Sequence, residues 1–377
     1  MIAAIPTQRR RDARCDTWPR VRLGEVCVSL TSQIRQRDLD GNTGPYPIFG
    51  AAGFLRNSCF CMVGKPAIAM VKDGAGVGRV MCIPANSAVI GTMLILKPNN
   101  GIDRGYLFYA LSSLNLGRLC SGATIPHLYF RDMKALTVPL PPLAIQRRIA
   151  AKLDRLCDIV AKRKNQLLQL NQLVKSRFVE MFGDVTVNDR EWETATLPEL
   201  GELNRGVSKA RPRNSPELLG GPYPLVQTGD VSNSGLWIKN YSSTYSDKGL
   251  AQSRLWKRGT LCITIAANIA QTAILDFDAC FPDSVVGFVP NERTDAIFIH
   301  YWFSFFQKIL EAQAPQVAQK NINLRILSGL KVVEPPLALQ REFAAFVAKV
   351  DKLAFAVRES LESAEKLYRQ QLSEAFA

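Results

Sequence analysis

A Pro-Pro-Leu-Ala-x-Gln-Arg heptapeptide occurs twice in this chain, at Pro141–Arg147 and Pro335–Arg341, and each copy opens a run of about forty residues free of proline and glycine. Pro141 maps onto Pro335, Gln146 onto Gln340, Arg147 onto Arg341 and Phe182 onto Phe376, each 194 positions on and without a gap. Proline at the entry of a helix loses nothing by lacking an N–H, because that group has no intrahelical partner there. Apolar residues then recur in steps of three and four. The first copy has Leu153, Leu156, Val160, Leu167, Leu170 and Val174; the second has Val347, Val350, Ala354, Val357, Leu361, Ala364 and Tyr368. This is the stripe of a coiled coil. Each helix spans roughly 60 Å at 1.5 Å per residue. Neither can hide its stripe alone, so the two are expected to pair antiparallel along it. Arg163 stands where the second copy has Val357, and should lie at the seam edge or meet an acid such as Glu359 or Glu362. An unpaired buried guanidinium would be costly.

The segments ahead of the two helices also repeat. Trp18 with Leu23 is answered by Trp192 with Leu197, and Gly44-Pro-Tyr-Pro-Ile48 by Gly221-Pro-Tyr-Pro-Leu225. Ala67–Val71 is answered by Leu261–Ile265, and Phe130-Arg131 by Leu324-Arg325. The offset grows from 177 at the Gly-Pro-Tyr-Pro runs to 194 at the middle strands, which puts an insertion within about 227–256 of the second body. The expected organisation is a basic tail (1–17), a first body (18–140), a long helix (141–183), a second body (184–334) and a second long helix (335–377). Ala67–Val71, Arg79–Ile83 and Ala88–Leu96 are expected to be strands, Tyr106–Leu116 is expected to be a helix, and the Gly-Pro-Tyr-Pro run is expected to turn. A constant frame carrying a different loop is the pattern of a scaffold whose loop selects the ligand.

Charge narrows the class of partner. Lysine and arginine exceed aspartate and glutamate by 47 to 33, a formal +14. The first body carries +7 and the first helix +6, whereas the second body carries −1. An excess of this size points to an acidic partner, nucleic acid first. The N-terminal arginines Arg9, Arg10, Arg11 and Arg14 fit a solvated tail or a phosphate-contacting arm. Nine cysteines without a Cys-x-x-Cys pair fit a reduced, cytoplasmic chain. No signal peptide and no apolar run of membrane-spanning length is evident.

Catalytic signals are missing where they would be sought. Gly74-Ala-Gly-Val-Gly78 imitates a dinucleotide loop, but a strand rather than a helix follows it, so no helix N-terminus would face a phosphate. Gly64-Lys65 runs into Pro66 and is no phosphate loop. An Asp/Asn-Pro-Pro-aromatic run, the mark of an amino-methyltransferase, does not occur, and Pro282-Asp283 lacks the nuclease spacing after it. His127 and His300 lack a second ligand at metal-binding spacing, and His300 lies in the apolar run 297–306. This is a chain that binds rather than reacts.

Polar loops are the candidates for binding. Thr31, Gln33, Arg35 and Arg37 combine hydroxyl, amide and guanidinium groups that pair with base edges in the major groove. Lys72 and Arg79 flank the glycine turn. Lys209, Arg211 and Arg213 form the corresponding loop of the second body, joined by Gln227, Asn268, Gln271, Lys320 and Asn321. Singly each fits an ordinary solvated loop residue; together they recur at matching places.

Pro-Leu-Pro-Pro-Leu-Ala-x-Gln-Arg at 139–147, its near copy at 335–341, and the stretches 122–128 and 319–324 resemble the DNA-specificity subunit of Type I restriction–modification systems, over residues 18–377. The resemblance implies an α/β (α+β) fold: two target-recognition domains, each a small β-sheet with flanking helices, joined by an antiparallel coiled coil and each reading one half of an asymmetric bipartite site in double-stranded DNA. It implies two modification (methyltransferase) subunits docked on the helices and restriction subunits in the full complex. S-adenosylmethionine, ATP and magnesium would serve those partners, with no cofactor and no metal in this chain. Arg147, Lys152, Phe178, Phe346 and Phe355, with apolar neighbours such as Ile149, Leu173 and Leu372, are the expected docking residues. Two departures from the pattern stand out: Glu334, after Val333, stands where the first copy has the Leu of Pro139-Leu140, and the second body is not basic. The competing class is an adaptor, two similar modules on a coiled coil that bind proteins and read no DNA sequence.

Overall fold

The computed structural model describes residues 18–122, 126–266, 269–313 and 322–377, with the side chains of 308–313 excepted. The basic tail, Asn268, Lys320 and Asn321 lie outside the described residues. The chain divides into two compact units: the residues up to Asn165 with Arg358–Ala377, and Gln166–Val357.

In the first unit, β1 (Arg20–Arg22), β2 (Cys27–Thr31), β3 (Tyr46–Gly50), β4 (Gly53–Ser58), β5 (Ala67–Val71), β6 (Val80–Ile83), β7 (Ala88–Val89), β8 (Met93–Pro98) and β9 (Thr137–Pro139) build three sheets. The main sheet has the order β2-β8-β5-β6, all antiparallel, and a smaller one the order β4-β3-β7. All five side chains of β5 are buried, because successive residues alternate between two cores. Ile68 and Met70 face a core shared with α1 (Arg104–Ser113), whereas Ala67, Ala69 and Val71 face the smaller sheet. A central strand covered on both sides therefore reads as continuously apolar. β1 and β9 clasp the ends of the body, just before the long helix α3 (Leu143–Phe182) and after the short α2 (Phe130–Met133).

The second unit repeats the plan with β10 (Thr194–Thr196), β11 (Gly201–Arg205), β12 (Leu219–Leu225), β13 (Trp237–Ile238), β14 (Ser243–Tyr245), β15 (Leu261–Thr264), β16 (Thr272–Leu275), β17 (Val285–Pro290) and β18 (Lys331–Val333). The main sheet is β11-β17-β15-β16, extended by β13 lying parallel to β16. The added residues sit in the hairpin that joins β12 to β14, within the window the offset predicts. They form α4 (Thr228–Ser232) and β13; α5 (Asp247–Ala251) follows β14. α6 (Ala296–Gln313) answers α1, α7 (Leu324–Ser328) answers α2, and the long α8 (Leu337–Phe376) leaves the unit.

Three local expectations change. The run 88–96 is two strands, not one: Gly91 and Thr92 hand the chain from the smaller sheet to the main one, and the Gly91 N–H donates to the Ile34 carbonyl at 2.7 Å. The Gly-Pro-Tyr-Pro runs enter strands β3 and β12 rather than turning. Their glycines are needed for close approach. A Cβ on Gly44 would meet the Cys59 nitrogen at 2.5 Å, and one on Gly221 the Tyr245 oxygen at 2.5 Å. The predicted helix 106–116 begins at Arg104, where the Asp103 carboxylate accepts from the Tyr106 N–H at 2.9 Å and caps it.

Within each unit the two long-helix segments run antiparallel. In the first, Lys152 contacts Gln371 and Lys164 pairs with Glu365 at 2.9 Å, so partners descend as the numbers rise. In the second, Arg177 meets Glu342 at 3.0 Å, and Phe178 packs on Phe343 with ring centroids 5.3 Å apart. Leu153, Leu156, Val174, Val347, Val350, Ala354 and Ala364 of the predicted stripes are buried, and Arg163 is half-buried. Each body also grips a helix end by its aromatic residues. Phe376 lies 5.1 Å from Tyr106 in the first unit, and Phe182 lies 4.9 Å from Phe298 in the second.

The glutamine repeated in the heptapeptide has a specific task. The buried Gln146 donates to the Pro141 and Gly101 carbonyls at 2.9 and 3.3 Å and accepts from the Asp103 N–H at 2.8 Å. The buried Gln340 donates to the Pro335 and Arg293 carbonyls at 2.8 and 3.2 Å. It accepts from the Thr294 hydroxyl and the Asp295 N–H, both at 3.0 Å. Each amide thus locks the first turns of a long helix to the loop that starts its own body's helix, with donors and acceptor all satisfied.

His300, on α6, shares a 2.9 Å hydrogen bond with the Thr272 hydroxyl. Burial of its ring pushes its pKa down to about 4; the Thr272 contact partly offsets this and the Lys175 charge adds to it. The imidazole is neutral in the fold, whereas the unfolded chain takes up a proton near pH 6.5. The second unit should therefore lose stability as pH falls from about 6.5 toward about 4, by at most on the order of 3 kcal/mol. Urea midpoints measured across this range should flatten in His300→Gln; an unchanged slope would exclude His300 as the source.

Candidate nucleic-acid interface

In each unit the same four pieces of chain meet along one edge of the main sheet, the one formed by the ends of its strands. In the first, the Lys72 and Asp73 N–H groups donate to the Thr92 carbonyl at 2.9 and 3.2 Å, and the Leu128 N–H donates to the Lys72 carbonyl at 2.8 Å. With the Gly91–Ile34 bond, this brings together the end of β5, the start of β8, the loop after β2 and the segment leading to α2. In the second unit the Ile265 N–H donates to Ser284 at 3.1 Å, Ile322 to Ile265 at 3.1 Å, and Gly206 to Val285 at 2.8 Å. A sheet edge held by backbone bonds leaves its side chains free to differ.

The chemistry at the two edges does differ. In the first unit the Asp73 carboxylate sits between Lys72, at 3.2 Å, and the His127 ring nitrogen, at 2.8 Å. His127 stacks on Tyr129 with centroids 6.3 Å apart, and the Arg131 guanidinium lies 4.6 Å from the Tyr129 centroid. Cation, imidazole and phenol thus form a ladder of flat groups, a surface suited to sugar edges, base faces and phosphates. Of the residues gathered here the sequence put forward only Lys72 for binding DNA. His127 looked solitary because its partner Asp73 is 54 residues away.

The second edge is built of guanidinium groups. Arg205, at the end of β11, donates through Nε and Nη2 to the Asp283 carbonyl at 3.0 and 2.7 Å. Arg213 meets the Asp283 carboxylate at 2.5 Å, and Arg211 lies 3.8 Å from its other oxygen. Arg211 also donates to the Ser208 and Ala210 carbonyls at 2.8 and 2.7 Å. Gln252, just past α5, accepts from the Lys209 and Ala210 N–H groups at 2.6 and 2.9 Å. A residue close to the second unit's additional segment thereby fixes the loop that carries the arginines.

The remaining predicted residues fall around these edges. Thr31 ends β2, and Gln33, Arg35 and Arg37 are exposed on the loop beyond it; the Arg35 N–H is tied to Asp38 at 2.7 Å. Arg79 donates to the Ala51 carbonyl and so joins the β5–β6 turn to the β3–β4 turn. That turn holds Gly74, Gly76 and Gly78 at φ of +83°, +83° and +85°, a hairpin geometry rather than a phosphate loop. Gln227 precedes α4 with its N–H on Asp230 at 2.8 Å, and Gln271 sits in the β15–β16 turn, its N–H 3.1 Å from the Thr264 hydroxyl.

The helix residues divide. Arg147 is exposed on the first turn of α3, Lys152 is engaged with Gln371, and Phe346 is half-buried beneath Arg177. Phe355 is exposed, with the Lys239 ammonium 5.2 Å from its ring centroid. Phe178 corrects an expectation: it is fully buried, its ring 5.6 and 5.1 Å from those of Phe298 and Phe305 on α6. It serves the core because the second body covers that face of α3. Leu168, Leu173, Val179, Leu353 and Phe355 are the large apolar residues left exposed on this unit's helix segments.

The profile described as Type I restriction modification DNA specificity domain matches residues 15–170 and 189–364, once over each repeat. The putative type I restriction enzyme MjaX specificity subunit of Methanocaldococcus jannaschii is 23% identical over 293 residues, 73% of this chain and 68% of that one. The EcoBI specificity subunit of Escherichia coli is 26% identical over 67% of this chain and 58% of that relative. The MjaVIII specificity subunit of M. jannaschii is 23% identical over 93% of this chain and 90% of that one. Among solved structures, the S subunit of the Type I restriction–modification system from M. genitalium has a TM-score of 0.68 at 15% identity, covering 99% of this chain and 98% of that one. At that identity the likeness establishes the fold.

Proposed function

The chain belongs to the family of Type I restriction–modification DNA specificity subunits, and from that premise we propose that its two bodies read the two halves of an asymmetric bipartite site in duplex DNA. The observation that carries this is the repeated sheet edge. Both units gather cationic and hydrogen-bonding side chains from distant segments at the same structural place, with different chemistry at each. Thr31, Gln33, Arg35, Arg37 and Lys72 would serve the first half-site. Lys209, Arg211, Arg213, Gln227 and Gln271, with Asn268, Lys320 and Asn321 from outside the described residues, would serve the second.

The subunit is non-catalytic; catalysis belongs to its partners. We assign the exposed apolar residues of the helices, with Arg147 and Phe355, to docking of two modification subunits, because exposed apolar strips on a long helix mark partner sites. S-adenosylmethionine, ATP and magnesium would act in the modification and restriction subunits, with none held by this chain. Among the described residues no helix is long and apolar enough to cross a membrane. The proposed work on DNA would place the chain in the cytoplasm.

Replacing residues 184–334 with the matching body of a relative should change one half of the methylated motif and leave the other half and the unread gap intact, as read by methylome sequencing. Loss of a single base contact should cost about 1–3 kcal/mol at one position. A swap that altered both halves together would refute modular reading. An adaptor that binds only protein would give no salt-dependent shift of duplex DNA, whereas phosphate neutralisation makes affinity fall steeply with salt.

A further inference from the structure

We propose that the cleft around Asp283 in the second unit is a binding site for one phosphodiester of the DNA backbone, in which the Asp283 carboxylate acts as a built-in counterion that the phosphate displaces. This rests on the DNA-reading role proposed above and names the chemistry of one of its contacts. The second body has a net charge of −1, which on its face argues against phosphate binding. The fold overrides this total by gathering three arginines around Asp283, Arg205 on its backbone carbonyl and Arg211 and Arg213 on its carboxylate, leaving a local excess of two positive charges.

The cleft has a volume of about 420 Å³ and is lined by Arg205, Arg213, Ile265, Asp283, Ile322 and Asn323, among others. That is ample for a phosphate group, and Ile265 and Ile322 in its lining are almost fully buried. The side chains of Arg211, Arg213 and Asp283 are about half to one-third exposed, so an incoming anion can reach them. Arg205 is held by the Asp283 backbone carbonyl and stays in place when the carboxylate is displaced. The carboxylate offers two oxygens to guanidinium forks, as a phosphate would. β8 and β17 match at an offset of 192, Met93 with Val285, which places Gly91 of the first unit where the second has Asp283, so the first unit lacks this counterion.

Arg211 and Arg213 are therefore phosphate holders rather than base readers, and Asp283 sets how strongly the second half-site is gripped irrespective of sequence. The test uses the full chain assembled with its modification subunits. Affinity for the cognate duplex and for a scrambled duplex is measured across a series of salt concentrations. Arg213→Gln should weaken both duplexes by the same factor, roughly tenfold, and reduce the salt slope by about one. Asp283→Asn should tighten both duplexes and steepen the slope. Arg213→Lys, which keeps the charge, should restore most of the slope and decides the matter if Asp283→Asn fails to fold. The proposal is overturned if Arg213→Gln relaxes a single base position with the slope intact, or if a folded Asp283→Asn binds no tighter than wild type. A wild-type complex that shifts no duplex at any salt would remove both this site and the DNA-reading role; variants indistinguishable from a wild type that does bind would remove the site alone.

Discussion

Phe178→Ala is expected to destabilise the second unit by about 3–5 kcal/mol, the usual cost of removing a fully buried phenyl ring. Phe178 is wholly enclosed, with the rings of Phe182, Phe298, Phe305 and Phe343 between 4.9 and 5.6 Å from its own. Those neighbours come from α3, α6 and α8, so the cavity would open where three helices meet and could not collapse without moving one of them. In a unit of this size the melting temperature should fall by roughly 10 °C. Proteolysis should then begin within 184–334 while the first body resists. Phe178→Leu, which retains most of the volume, should cost clearly less. A loss below about 1 kcal/mol for the alanine variant would mean that the aromatic cluster does not form.

Gln340→Leu is expected to be nearly as damaging, for a different reason. Leucine fills the space but strands the Asp295 N–H and the Arg293 and Pro335 carbonyls in a site where Gln340 is completely buried. Each buried polar group left without a partner costs about 1–3 kcal/mol, so about 3 kcal/mol or more is expected in total. Gln146→Leu should do the same to the first unit, whose amide makes the corresponding contacts. Gln340→Glu separates the two terms. An ionised carboxylate cannot donate to the carbonyls, and its burial raises its pKa, so that variant should lose stability as pH rises and the acid ionises. If chemical denaturation shows either leucine variant within about 0.5 kcal/mol of wild type, the amide is not the lock described here.

How far the sequence carries depends on the range of the interaction. The long helices were legible because their signals are local: a proline entry, a stripe in steps of three and four, and no breaker. The repeat of the bodies was legible from Trp18 and Trp192 and from the Gly-Pro-Tyr-Pro pair, since close backbone approach tolerates only glycine. The face of α3 that Phe178 occupies was not legible. A helix apolar on two sides does not declare which side meets the helix partner and which the body. His127 with Asp73, and Arg205 with Asp283, join residues 54 and 78 positions apart, and a single sequence has no register in which such pairs can be seen. Net charge misled in the same way, since a total of −1 over the second body concealed three arginines gathered around one aspartate.

The first unit is discontinuous along the chain, and this sets an order on the ribosome. Residues 166–357 form the second unit without interruption, whereas the first must wait for residues 358–377. Its core includes Ala375 and Phe376, which close over Tyr106, and the Arg20 side chain donates to the Ala377 carbonyl at 3.0 Å. The body synthesised first is therefore the one completed last, and it keeps part of its apolar surface uncovered throughout translation of the other. Exposure of this kind invites off-pathway association. Shortened transcripts that end near Val357 would yield a finished second unit attached to a first that never closes.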